Sequence, residues 1–84
     1  MCFVYVLYSP GFKRFYVGST INLDKRVAEH NRGKTKSTRP FKPWKLVFKE
    51  SFGTIEKARK REKYLKTAAG RRWRSENIKI NKGD

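Results

Sequence analysis

The chain has 84 residues, room for one small domain, and its 22 Lys and Arg against 7 Asp and Glu leave a net charge of +15. Self-repulsion of that size works against a compact fold and is relieved by a polyanionic partner. Nucleic acid ranks ahead of an anionic membrane, because the basic helices lack the broad apolar face of an interfacial anchor. A lone cysteine, Cys2, excludes an internal disulfide and a cysteine-based zinc site, and no stretch reaches the roughly 20 apolar residues that span a bilayer. The apolar start is broken by Ser9-Pro10-Gly11, too early for a signal peptide, so an intracellular setting (cytoplasm or nucleoid) is expected.

Phe3 to Tyr8 reads as a strand with Phe3, Tyr5 and Leu7 on one face and Val4, Val6 and Tyr8 on the other; both are apolar, which places it centrally. Pro10-Gly11 marks a turn, and Arg14 to Ser19 is a second strand paired as a hairpin. Asn22 caps a helix over about Leu23 to Arg32, stopped by Gly33. Lys34 to Trp44 is a basic loop with two prolines. Lys45 to Phe52 is a third strand with Leu46, Phe48 and Phe52 on one face. Thr54 caps a second helix, expected to run from Ile55 to Ala69 and end at Gly70. Arg71 to Glu76 adds a short helical turn, and 78–84 reads as a frayed basic tail. The order is β-β-α-β-α: an α+β fold with a three-stranded antiparallel sheet flanked by helices, in one domain over 1–77.

Polar groups stand where apolar ones belong. On the first helix Leu23 and Val27 set the core direction, His30 falls between them in angle, and Arg26 sits four residues before His30 on the flank. An Arg and the only His are thereby aimed toward strands that carry Tyr5 and Tyr16. On the second helix Ile55, Ala58, Leu65 and Ala69 form an apolar stripe with Glu62 in its middle. A carboxylate there needs compensation, from a divalent metal or from an arginine such as Arg59. Taken singly, each residue has a bland reading as a core aromatic, a packed histidine or an ion-paired acid. Their joint order and spacing do not.

Phe3-Val4-Tyr5, Tyr16-Val17-Gly18, the run Asn22 to Asn31 and the run Arg59 to Lys66 together resemble a GIY-YIG nuclease domain, closest to its small stand-alone members. Phe3 stands where the usual leading glycine would be. The resemblance implies that Tyr5 and Tyr16 are the motif tyrosines, Arg26 the motif arginine, His30 the histidine of many members and Glu62 the ligand of one divalent ion, Mg²⁺ or Mn²⁺. Gly18 and, as the late asparagine of some members, Asn77 are further candidates. A lysine found just after the second motif in some members is matched here by Ser19 or Thr20.

The expected function is therefore metal-dependent hydrolysis of DNA phosphodiesters, structure-selective and with low sequence specificity, in a setting such as repair or recombination. The alternative is a non-catalytic nucleic-acid-binding module on the same fold. Tyr16 is expected as general base or water-orienting group, with His30 an open substitute, and Arg26 as the phosphate fork. Lys34, Lys36, Arg39 and Lys42 on the loop, with Arg71 and Arg72 near the end, are expected to hold phosphates without reading sequence. Trp73 among those arginines is either a stacking surface for an exposed base or a cap on the small core.

Overall fold

Apolar side chains on both faces make β1 (Cys2–Ser9) the centre of the molecule. In the computed structural model, which describes residues 1–79, β1 lies between β2 (Arg14–Thr20) and β3 (Lys45–Phe52), antiparallel to both. The β1–β2 register sets Tyr5 opposite Gly18, Val4 opposite Ser19 and Leu7 opposite Tyr16. The hairpin turn closes with Phe12 N–H on the Ser9 carbonyl, and its left-handed residue is Lys13 (φ 52°) rather than Gly11.

The two faces of β1 build two cores. Val4 and Val6 join Val17, Leu65 and Ile78 on one side, with Phe48, Phe52 and Trp73 packed against them. Tyr5 and Leu7 join Leu23 and Trp44 on the other, with Phe3, Tyr16, Val27 and Phe41 alongside. Full burial of each such Val or Leu contributes about 1.5–3 kcal/mol, so a domain this small depends on both layers. The expected face for Leu46 is corrected. The β1–β3 register slips between Val6 and Leu7, so Val6 faces Phe48 while Leu7 faces Leu46. A bulge of this kind breaks the alternation of two, and Leu46 is left 40% exposed.

Helix α1 (Leu23–Asn31) starts where Asn22 accepts the Lys25 N–H and ends before Gly33, whose φ of +79° suits glycine. Helix α2 (Ile55–Leu65) is capped by Thr54, as expected, but stops four residues earlier than the apolar stripe suggested. Thr67 accepts the Gly70 N–H and opens a separate helix, α3 (Ala68–Asn77). Ala69 is exposed, and Gly70 is a contact point rather than a stop: a Cβ on it would lie 2.0 Å from the Tyr64 carbonyl oxygen and 2.5 Å from the Leu65 Cα. Helices α2 and α3 thus pack together over the Val4–Val6 face, while α1 and the segment after it cover the Tyr5 face. Ile78 is buried in the first core, so the expected fraying does not begin there; residues 80–84 lie outside the described residues. Among the described residues no helix is long and apolar enough to cross a membrane.

Candidate active site

Tyr5 is the largest fully buried side chain, 1% exposed, and the register places it across from a residue with no side chain. Gly18 makes room for it. A Cβ at Gly18 would lie 2.5 Å from the Tyr5 hydroxyl oxygen and 2.7 Å from its Cζ, so the phenol extends over the backbone of the edge strand β2. There the hydroxyl meets His30 Nε2 at 2.9 Å. The Tyr16 ring joins them, with its centroid 4.8 Å from that of His30 and 6.2 Å from that of Tyr5.

The hydrogen bonds fix the histidine's tautomer. His30 Nδ1 lies 2.8 Å from Thr38 Oγ1, and Thr38 spends its own proton on the Thr35 carbonyl. Thr38 therefore accepts from His30 Nδ1–H, which leaves Nε2 to accept from the Tyr5 hydroxyl. Burial, reinforced by the Arg26 charge, lowers the His30 pKa to about 4, so the ring is neutral at pH 7. Burial and then the neighbouring Tyr16 push the Tyr5 phenol up to about 12, although Arg26 beside it pulls the other way. Tyr5 is thus a hydrogen-bond donor and not a ready base. His30 is fully buried, beneath Tyr16 and the segment after α1.

Arg26 stands on the flank of α1, as its wheel position requires, with its Nη1 3.2 Å from Glu29 Oε1. Glu62 comes from the opposite side of the sheet. Its Oε1 accepts from Ser19 Oγ at 2.6 Å, and its Oε2 pairs with Lys66 Nζ at 2.7 Å. The compensation anticipated from an arginine such as Arg59 is therefore supplied by Lys66 and a serine hydroxyl. Ser19 follows Gly18, so Tyr5 from one face and Glu62 from the other converge on two adjacent residues of β2. The Glu62 charge acts on the Tyr5 phenol across this edge.

The fold, the Gly18 opening and the tyrosine–histidine–arginine cluster can be set beside known proteins. A model of the GIY-YIG catalytic domain matches residues 1–77. The chain belongs to the GIY-YIG family. It is 39% identical over 66 residues to a UPF0213 protein of Syntrophus aciditrophicus, a match covering 76% of this chain and 75% of that one. It is 42% identical over 67 residues to a UPF0213 protein of Clostridium perfringens, covering 79% and 71%. With the UPF0213 protein YazA of Bacillus subtilis it shares 45% identity over 53 residues, 62% of this chain but 54% of that one. No solved structure matches the chain. GIY-YIG proteins are a nuclease-type family, generally endonucleases acting on nucleic acid with divalent metal ions.

In this GIY-YIG chain the acidic side chain at the β2 edge is Glu62. Among the described residues no group of three or more His, Cys, Asp or Glu could hold an ion. Glu62 fits the role of single ligand: its side chain is 22% exposed and its partner Lys66 more so. An i,i+4 pair of that kind is worth only about 0.3–0.5 kcal/mol and is readily exchanged for an ion.

The remaining candidates lie farther out. Lys34, Lys36, Arg39 and Lys42 are exposed on the segment covering the Tyr5 face, and Arg71 and Arg72 are exposed on α3, over the other face. Trp73 packs edge-on to Phe48 at 5.4 Å, with the Arg61 guanidinium 4.6 Å above its ring, the arrangement of a core cap. Asn77 turns its amide back onto the Trp73 carbonyl. Thr38, Trp44 and Asn31 join the site without a functional signal in the sequence, and Ser19, marked there only as a matched position, joins it as the partner of Glu62. Asn31 clamps Trp44 through both backbone groups, and the Trp44 indole N–H donates to the Thr38 carbonyl, so the whole segment is tied down over His30. Only Ser19 carried a signal, its position after the second motif.

Proposed function

We propose that this protein is a metal-dependent DNA endonuclease whose reaction centre straddles the edge strand β2. The observation that carries the reading is the Tyr5–His30 hydrogen bond of 2.9 Å beside Arg26 and Tyr16, with Glu62 arriving at the same edge through Ser19. A plain binding module has no use for a buried, tautomer-fixed histidine or for a carboxylate in an apolar stripe.

Arg26 binds non-bridging oxygens of the scissile phosphate with its planar fork. Glu62 would hold one divalent ion, Mg²⁺ or Mn²⁺, which when bound would stabilise charge on the phosphoryl group and the leaving oxygen. Tyr16, the motif phenol that keeps solvent access, meets the attacking water and accepts or orients its proton. Tyr5 is held by His30, and through it by Thr38, so its proton stays on the histidine side while its oxygen accepts from Arg26 and steadies the phosphate fork. Lys34, Lys36, Arg39, Lys42, Arg71 and Arg72 hold flanking phosphates. The test is nicking of supercoiled plasmid with Mg²⁺ beside an EDTA control. Tyr16→Phe, Arg26→Ala and Glu62→Gln each abolish nicking with DNA binding largely kept; parental rates in all three would refute the proposal.

A further inference from the structure

Next to Tyr16, on the side away from β1's neighbour Gly18, an open cleft of about 370 Å³ runs between β2 and the segment after α1. Its walls are Arg14, Phe15, Tyr16, Ser37, Phe41 and Trp44, with Thr38 at its floor. Of its wall residues the reaction described above uses only Tyr16. Three properties say what it would take. Three of the lining residues, Tyr16, Phe41 and Trp44, are aromatic; the Phe15 ring packs instead on Tyr8, 5.0 Å away, with the Arg74 guanidinium of α3 5.5 Å over it. The Arg14 guanidinium lies over the Phe41 ring, 4.3 Å from its centroid, so a flat cation also faces the opening. Ser37 is exposed and contributes a hydroxyl, a group that both donates and accepts. Flat rings, a guanidinium plane and a few hydrogen-bonding groups are how proteins hold a base that has left the helix stack. An anionic lipid or an acidic peptide would have no need of the rings, and an apolar ligand would not select Arg14.

Tyr16 connects this cleft to the reaction centre. Its ring stands between His30, at 4.8 Å, and Trp44, at 6.4 Å, and forms part of both walls. We infer that the cleft receives a single unpaired nucleobase from the nucleotide next to the scissile phosphate. The inference rests on the nuclease reading and narrows it: the substrate carries an unstacked or unpaired base at the cut, as at a nick, flap or mismatch, and intact duplex is cut poorly.

The test uses the whole chain and oligonucleotide duplexes in EDTA, where binding proceeds without cleavage. One set carries 2-aminopurine at the unpaired nucleotide of a flap junction, a second carries it in the interior of an intact duplex. Binding should change the fluorescence at the junction by about twofold or more through stacking on the aromatic walls, with no such change in the duplex interior. Ser37→Trp, which fills the cleft from an exposed position, and Phe41→Ser, which removes an aromatic wall, should both erase the change while DNA affinity stays within about threefold, since the phosphate contacts that dominate it are untouched. An unchanged urea midpoint for Ser37→Trp shows the fold is intact. A junction signal that persists in both variants, or one equal in the intact duplex, overturns the inference and leaves the nuclease reading standing. A parent that nicks plasmid but shows no fluorescence change at the bound junction does the same. A parent that binds neither DNA removes both.

Discussion

Acidification tests the buried histidine most directly. His30 has a folded pKa of about 4, against 6.5 when exposed, so below pH 6.5 the unfolded chain takes up a proton that the folded chain refuses. Stability therefore falls as pH drops from about 6.5 toward 4 and levels off below that for this group. Two and a half pKa units correspond to about 3 kcal/mol at most, a large part of the roughly 4–12 kcal/mol expected for a domain of this size. Urea unfolding, followed by tryptophan fluorescence at a series of pH values, gives the slope. Carboxylates contribute at the acid end, so the quantity to compare is the difference from His30→Gln, in which the slope between pH 6.5 and 4.5 should flatten. Because the chain has one histidine, nitrogen NMR reports the same group without ambiguity. The proton should sit on Nδ1 at neutral pH. A parental slope retained in His30→Gln, a folded pKa near 6.5, or a proton on Nε2 would each refute the Tyr5–His30–Thr38 chain.

Other outcomes follow from the same contacts. Thr38→Val keeps the shape but leaves the buried Nδ1–H without an acceptor, and should cost about 1–3 kcal/mol in urea unfolding. Gly18→Ala drives a methyl into the Tyr5 hydroxyl, and should abolish nicking and lower stability by about 1–3 kcal/mol, read by plasmid assay and thermal melting. Gly70→Ala sets its methyl against backbone rather than a movable side chain, and should lower the melting temperature without altering the reaction centre's chemistry. DNA binding should weaken about tenfold or more between about 50 and 200 mM salt, measured by fluorescence anisotropy, because several phosphates are contacted.

Much of the architecture could be read from residue pattern. The central position of β1 followed from its two apolar faces, and the convergence of Tyr5 and His30 from the helical angle of His30 between Leu23 and Val27. The misreadings have local causes. Ala68-Ala69-Gly70 continues a helical pattern so smoothly that it hides the Thr67 cap, and a glycine in a helix–helix contact has the same sequence signature as a helix stop. Leu46 was misplaced by a bulge, which alternation cannot reveal. Ile78 lies between Asn77 and Lys79 at the start of a basic tail, so in sequence it looks like part of that tail. Thr38 looked like one more polar loop residue, and only the closure of the loop by Trp44 and Asn31 gives it a buried partner. Glu62 stands out as an anomaly, but a serine 43 positions upstream, rather than a nearby arginine, shares it with Lys66.

Tyr5 has consequences for how substitutions in this domain are interpreted. Its ring fills a core and its oxygen reaches the edge strand, so position 5 answers two questions at once. Removing the whole side chain yields an inactive protein for the uninformative reason that little of it folds. Phenylalanine alone separates the two: it keeps the ring, leaves the imidazole without its donor, and should give a well-expressed, folded, silent protein. A library scored for expression should accept phenylalanine there and little else, while one scored for cutting should accept only the tyrosine.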